Sequence, residues 1–396
     1  MFVKNVLMMA TIKVSAITLS FASTILLVLW FGKREFGEYI GLLSIVNLLV
    51  FPLTGVIVRE LVRKVAIQGG EVTPSIMNIV NTYFSSFAIG CSLAILLIFL
   101  QFRISLILLI GSSVVMLSIF SALYRAEGRF VLGNLEAQII RPAGFILVCF
   151  ILTQTKINID SDKLLLVMGV IVFVTAVTFV ILSPYPLRFT VRCSALPNIY
   201  GLPALFCAGF ELYHVSTDVI VANVLFGGNV AADVKISHQL KSLVLMPFLV
   251  YLMYAQRQIS ESVHSEEKWI KVKTEVRYLK IVSALFAIFG SIIIFVYIYY
   301  FDYFAFSLSI LFSILLSSAS FIIFGPQLEI SFQIGTISNI SKYVVEFLAI
   351  HLIILVLVSV TKLPAEAMFL LNALNIIFLF SNIGKVNNRK VDQIKP

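Results

Sequence analysis

Twelve apolar stretches, each about long enough to cross a bilayer, follow one another through this 396-residue chain with short connections between them. A helix needs roughly 20 mostly apolar residues to span the hydrocarbon layer. The chain is therefore expected to be an all-α membrane protein with 12 transmembrane helices. The stretches lie at about 10–31, 38–58, 76–100, 104–124, 132–153, 164–183, 202–226, 231–254, 279–300, 304–324, 343–361 and 366–384.

The composition narrows the class of function. Charged residues make up 12% of the chain, against about a quarter in an ordinary soluble domain. There is no glycine-rich phosphate loop, no metal-spaced His/Cys cluster and no convincing nucleophile arrangement, so we expect neither an enzyme nor a cofactor. The four cysteines are widely spaced and are expected to be inert buried thiols.

The placement of positive charge predicts the orientation. With the N-terminus in the cytoplasm, the inside segments carry nineteen Lys and Arg residues and the outside segments carry seven. Such a bias follows the positive-inside rule, so both termini are expected in the cytoplasm. The net charge of +9 is then explained by topology and anionic membrane lipids, and we expect no nucleic-acid partner.

Two longer connections divide the chain. The segment 184–200 contains three prolines and separates an N-terminal lobe, 1–183, from a C-terminal lobe, 201–396. Both lobes begin on the cytoplasmic side, so they can be related only by an axis along the membrane normal. We predict two six-helix lobes around a central cavity. The connection at about 255–278 is expected to form an amphipathic helix on the inner headgroups.

Basic residues inside the spans are candidates for a functional site, because a charge at the bilayer centre costs roughly 2.5–3.5 kcal/mol on the insertion scale. Arg141 lies near the middle of span 5, just before Pro142. It is either a fixed cation that faces the cavity or one half of a structural ion pair, for example with Glu136. Lys13 in span 1 either faces the cavity or extends to the headgroups.

Spans 7 and 8 carry further ionisable residues. Glu211, His214 and Asp218 lie within about 60° of one another on a helical wheel. They form either a coupling or gating site for a proton or ion, or a structural ion-pair network between the lobes. Lys241 in span 8 could pair with this group and remain available to a phosphate.

Four short motifs resemble those of a known family. Residues 29–39, Leu-Trp-Phe-Gly-Lys-Arg-Glu-Phe-Gly-Glu-Tyr, resemble the span 1 to span 2 signature of polysaccharide-biosynthesis flippases, the O-antigen and exopolysaccharide transporters. Similar motifs follow in order: Gly55 with 59–63, then 123–129, then Thr217-Asp218 with the Leu-Phe-Gly-Gly of 225–228. The resemblance covers spans 1 to 8, and the later spans agree only in hydropathy.

That family belongs to the multidrug, oligosaccharidyl-lipid and polysaccharide exporter superfamily. The resemblance implies two lobes around a cationic cavity and transport by alternating access. The implied substrate is an undecaprenyl-pyrophosphate-linked oligosaccharide, moved across the bacterial inner membrane. A glycan polymerase and chain-length proteins of the same pathway are the implied protein partners. In this interpretation Lys13, Arg141 and Lys241 bind the substrate, while Arg59 and Arg63 either capture its diphosphate first or anchor the topology.

Two alternatives remain open. The first is a cation- or proton-coupled drug or metabolite antiporter of the same superfamily, with Glu211, His214 and Asp218 as its coupling site. Span 1 lacks the acidic residue that many cation-coupled multidrug exporters carry, which leaves that coupling scheme unsupported. The second is a membrane-embedded glycan polymerase or acyltransferase. The outside loops argue against it, because the longest, 154–163, is short.

Overall fold

The computed structural model describes residues 2–155, 159–190, 215–250, 266–301, 307–318, 322 and 338–391, and regular secondary structure in these ranges is helical throughout. A helix covers all or part of each of the twelve predicted spans; 202–214 of span 7, 251–254 of span 8 and both ends of span 10 lie outside the described residues. The helices are α1 (Phe2–Phe31), α2 (Lys33–Ile67), α3 (Pro74–Leu97), α4 (Phe102–Ala126), α5 (Phe130–Leu135, a π-helical turn at Glu136–Ile140, then Arg141–Gln154), α6 (Ser161–Ile181), α7 (Val215–Phe226, ending in a π-helical turn at Ala222–Phe226), α8 (Gly228–Val244), α9 (Glu266–Phe301), α10 (Leu308–Ser318), α11 (Ser338–Thr361) and α12 (Ala365–Val391). The predicted all-α membrane fold is confirmed.

Six of the described helices contain an apolar segment of full membrane length. The segments are Thr11–Phe31, Pro74–Leu97, Phe102–Ala126, Ser161–Ile181, Ile270–Val296 and Ser341–Thr361. Shorter apolar segments lie in α5, α7, α10 and α12. Several helices extend well beyond the hydrocarbon layer, since α9 has 36 residues and so measures about 54 Å at 1.5 Å per residue.

The length of α9 changes the picture of the amphipathic connection. Residues 266–278 form the first turns of α9 and continue without a break into the span, whereas 255–265 lie outside the described residues. No proline or glycine occurs between Glu266 and Phe289, so nothing in the sequence interrupts the helix there. The described half of this connection therefore belongs to α9, and its position on the inner headgroups remains a prediction.

Contacts divide the chain into two compact units. The described part of the first unit comprises 18–155, 159–190 and 215–232, and that of the second comprises 2–17 and the described residues from 233 to 391. The boundaries fall inside α1 and α8. The predicted division at 184–200 remains a prediction.

In the first unit α4 packs against α2, α3 and α6. Small side chains let helices approach closely in a membrane, and α4 supplies buried Gly111, Ser113, Ala122 and Ala126. A core cluster joins the ends of α2, α3 and α4. Its buried members are Ile57, Leu61, Val62, Val65, Ile76, Val80, Tyr83, Ile119, Ala122, Leu123 and Ala126.

An extended segment follows α6 and lies against α3. Prolines at 184 and 186 prevent helix formation there. The backbone N–H of Arg188 donates to Asn81 Oδ1 at 2.9 Å, and that of Thr190 donates to Ser85 Oγ at 2.7 Å. Burial and the hydrogen bond that Tyr185 donates to Glu127 raise the pKa of Tyr185. We call residues 184–190 the strap.

In the second unit α11 packs against α12 through polar as well as apolar contacts. His351 Nδ1 lies 3.0 Å from Asn372 Oδ1, and both residues are buried. The amide of Asn375 donates to the backbone carbonyl of Phe347 at 3.2 Å. His351 is thus a packed contact between helices.

Candidate functional site

Arg141 lies at a distortion of α5. Pro142 has no N–H and cannot donate to the carbonyl four residues before it, which breaks the α-helical pattern. The π-helical turn Glu136–Ile140 directly precedes this position, and the backbone N–H of Arg141 donates to the carbonyl of Glu136. Widening the helix by one residue accommodates the proline while the helix continues.

The same turn brings two charges together. In an α-helix, residues five apart point about 140° away from each other. Here the Arg141 Nε and Nη2 both donate to Glu136 Oε1, at 2.9 and 2.7 Å. The Glu136 side chain is 6% exposed and that of Arg141 is 25% exposed. The ion pair considered as the alternative is therefore present, but Arg141 is not sealed off.

A motif residue supports this part of α5. Tyr39 is buried at 1% exposure and stacks on Phe145, with ring centroids 5.4 Å apart. Phe145 follows Arg141 by one helical turn. The Tyr that ends the 29–39 motif therefore packs against the helix face beside the ion pair.

The C-terminal part of α2 contains a second charged group. Arg59 Nη1 donates to the carbonyl of Gly55 at 3.4 Å. Arg63 Nη1 lies 3.8 Å from Glu60 Oε2, and Lys64 Nζ lies 3.4 Å from Glu60 Oε1. Glu60 is buried at 6% exposure. Sequence reasoning identified the two arginines and missed this carboxylate, although its i+3 and i+4 spacing to Arg63 and Lys64 was readable.

The remaining candidates are distributed between the two units. Asp218 is buried on α7 in the first unit, while Glu211 and His214 lie outside the described residues. Lys13 is half-buried on α1 in the second unit. Lys241, also in the second unit, is buried and donates from Nζ to Ser317 Oγ at 2.8 Å. It therefore lies in a contact between α8 and α10.

Two motifs that are distant in the sequence meet in the first unit. A Cβ on Gly37 would overlap the carbonyl oxygen of Gly228, and a Cβ on Gly228 would lie 2.5 Å from that of Arg34. A Cβ on Gly41 would lie 2.5 Å from Asn223 Nδ2. The beginning of α2 and the turn between α7 and α8 are therefore in backbone contact, and only glycine fits at Gly37 and Gly228. The 29–39 and 225–228 motifs are the two sides of this contact.

Comparisons with known proteins identify the fold. No protein-family model and no curated protein matches the chain. Among solved structures, an outward-facing multidrug resistance MATE family transporter of the MOP superfamily matches with a TM-score of 0.60 at 13% identity, covering 98% of this chain and 95% of that one. A MOP superfamily transporter from Pyrococcus furiosus matches with a TM-score of 0.63 at 12% identity, covering 99% and 96%.

A eukaryotic MATE transporter also matches, with a TM-score of 0.61 at 13% identity and 99% coverage of both chains. The chain thus has the fold of MATE transporters of the MOP superfamily over nearly its whole length. At 12–13% identity this likeness concerns the fold alone.

Proposed function

We propose that the protein is a flippase that translocates an undecaprenyl-pyrophosphate-linked oligosaccharide across the bacterial inner membrane by alternating access. One observation carries the proposal. A guanidinium lies within a predicted membrane span, Arg141 on α5, paired with Glu136 and still partly exposed. A diphosphate cannot cross hydrocarbon without such partners, because burying an unpaired ion is prohibitive.

Glu136 is the partner of Arg141 in the substrate-free state. Without substrate it neutralises Arg141, which lowers the cost of a lone charge in the membrane. A substrate diphosphate offers more oxygen acceptors than one carboxylate, and arginine binds phosphate oxygens in a bidentate manner. The substrate would therefore replace Glu136 as the acceptor of some of the guanidinium hydrogen bonds. Release would restore the ion pair.

Other basic residues fit successive steps of the same transport. Arg59 and Arg63, at the predicted cytoplasmic end of α2, would receive the diphosphate first. Lys13 and Lys241 would contact it during passage. The membrane lipids surround the polyprenyl tail throughout, and the glycan polymerase and chain-length proteins of the pathway would use the flipped product.

The structural similarity to multidrug transporters is compatible with a lipid-linked oligosaccharide as the substrate. In the Pyrococcus furiosus transporter, a reverse polarity of the binding pocket suggests a different function. The same fold thus accommodates pockets of different polarity. In this chain α1 contains Lys4 and Lys13 and no acidic residue, which favours an anionic substrate.

The test is a flipping assay in proteoliposomes with a fluorescent lipid-linked oligosaccharide. Arg141→Ala is expected to abolish flipping, while Lys342→Ala, which removes an exposed charge on α11, should leave it unchanged. In cells Arg141→Ala should eliminate surface glycan although the protein remains inserted and abundant. Normal flipping by Arg141→Ala would refute the proposed role.

A second candidate is a drug or metabolite antiporter. The fold of a multidrug transporter and the buried carboxylate of Asp218 on α7 favour it. Efflux of a cationic dye from cells that lack any glycan pathway, abolished by Asp218→Asn and retained by Arg141→Ala, would establish this function in place of the flippase.

A further inference from the structure

We propose that a polar pocket at the predicted outward end of the first unit is a carbohydrate-binding site, which holds one or two sugar residues. Its role in transport rests on the proposed flippase function, but sugar binding can be measured separately. The pocket has a volume of about 470 Å³, which lies in the range of small-ligand sites. The side chains that carry the argument are Arg34, Glu38, Arg103, Asn223, Phe226 and Asn229.

The pocket is built where four turns converge. Its lining comes from the beginning of α2, the beginning of α4, the first residue of α6 and the turn between α7 and α8. The backbone contact of Gly37 with Gly228 fixes two of these turns against each other. Ser161 joins a third, because its N–H donates to Glu35 Oε2 at 3.1 Å. The site is thus held by fixed contacts among distant parts of the chain.

Each of the two arginines in the pocket lining is paired with a carboxylate, one in the lining and one beside it. Arg34 Nε donates to Glu38 Oε1 at 2.9 Å, and Arg103 Nε donates to Asp162 Oδ1 at 2.8 Å. The hydrogen bond with Glu38 raises the pKa of Arg34, and both guanidinium groups carry a positive charge at neutral pH. A bare diphosphate would meet the carboxylate of Glu38 and two arginines whose charges are already paired, which disfavours it. The pocket therefore favours a neutral ligand.

The remaining groups suit a polyhydroxylated ligand. Each guanidinium uses its Nε for a carboxylate, which leaves the N–H groups of its two Nη nitrogens for a ligand. Asn223 and Asn229 each add an amide that both donates and accepts. A sugar hydroxyl needs that combination, since it is donor and acceptor at once. Phe226 offers an apolar face for the C–H side of a sugar ring.

Gly41 positions one of these amides. Asn223 lies so close to α2 that a Cβ on Gly41 would meet its Nδ2 at 2.5 Å. Any side chain at 41 would therefore displace the amide while leaving it chemically intact. This gives a positioning variant, Gly41→Ser, that complements direct removal of the amides.

The test is saturation-transfer difference NMR of the full-length protein in nanodiscs. The probes are glucose, galactose, mannose, rhamnose and N-acetylglucosamine. At least one sugar is expected to bind to the wild type. Asn223→Ala with Asn229→Ala, and separately Gly41→Ser, should weaken binding about tenfold, because hydrogen bonds between the amides and the sugar are lost or displaced. Asn78→Ala, at an exposed position on α3, is the control and should bind like the wild type.

Three outcomes would overturn the inference. They are no binding of any sugar by the wild type, unchanged binding in both pocket variants, and displacement of the bound sugar by equimolar pyrophosphate. The flipping assay distinguishes this failure from failure of the proposed function. If the wild type flips the lipid-linked oligosaccharide but binds no sugar, only the proposed sugar site is refuted. If sugar binding depends on the pocket residues but the protein flips no substrate, the sugar site is supported and the flippase function is refuted.

Discussion

At the residue scale the decisive feature is the ion pair between Arg141 and Glu136, whose two members are visible in the sequence although their contact is not. Arg141, Pro142 and Glu136 were identifiable as a mid-span cation, a helix breaker and a possible partner. Ideal helical geometry places Arg141 and Glu136 on different faces. The π-helical turn at Glu136–Ile140 brings them together, and it could not be predicted because proline is compatible with a kink as well as a π turn.

Substitutions in the Arg141–Glu136 ion pair should affect the stability of the protein and its transport activity in different ways. Arg141→Ala leaves the buried carboxylate of Glu136 unpaired and should lower the free energy of unfolding by about 1–3 kcal/mol. Adding Glu136→Gln removes that charge and should restore most of the loss. Thermal unfolding in detergent measures both effects.

Flipping separates the two roles of Arg141. If the guanidinium binds the diphosphate, the double variant Arg141→Ala with Glu136→Gln should be stable and inactive, while Glu136→Gln alone should keep measurable flipping. Recovery of flipping in the double variant would show that Arg141 is structural only.

At the element scale the sequence predicted helices better than the contacts between them. Spans 2 and 9 were detected, but α2 continues to Ile67 and α9 begins at Glu266, because hydropathy marks the membrane and not the end of a helix. The glycines of the 29–39 and 225–228 motifs were visible as motif letters. The contact between these glycines depends on tertiary packing, which a local sequence pattern does not predict.

The glycine contact predicts a clear asymmetry between substitutions. Gly37→Ala would place a Cβ on top of a backbone carbonyl oxygen, so α2 and the α7–α8 turn must separate. We expect a loss of about 1–3 kcal/mol of stability. Gly169→Ala on α6 meets only side-chain carbons, the nearest at 3.4 Å, and gains helix propensity. Thermal unfolding of both variants is the measurement, and equal melting temperatures would contradict the contact.

The strap on α3 predicts a change in protease sensitivity. Asn81→Ala removes the acceptor for the Arg188 N–H, so the strap should detach more often and trypsin should cleave after Arg188 faster. Asn78→Ala changes an exposed amide on the same helix and serves as the matched control. Mass spectrometry of timed digests identifies the site. Identical cleavage rates in the two variants would show that the strap does not depend on Asn81.

At the scale of the whole molecule the apolar pattern was sufficient for the fold class. Twelve stretches of membrane length leave few alternatives to a helical bundle, and the solved structures with this fold agree. The substrate does not follow from the fold in this way, since Arg141 and the polar pocket of the first unit owe their chemistry to individual side chains that the fold leaves free to vary. The predicted orientation depends neither on the fold nor on single site residues, because it rests on the distribution of loop charge alone.

Orientation can be tested with one matched pair of residues at opposite ends of α3. Gln68 and Gln101 are both exposed, and the 24-residue helix Pro74–Leu97 lies between them, about 36 Å long at 1.5 Å per residue. In a background without native cysteines, Gln101→Cys should react with an impermeant maleimide in intact spheroplasts. Gln68→Cys should react only after the membrane is permeabilised. The reverse pattern would place Arg59 and Arg63 outside and the sugar pocket inside, so capture of a cytoplasmic diphosphate at α2 would be impossible.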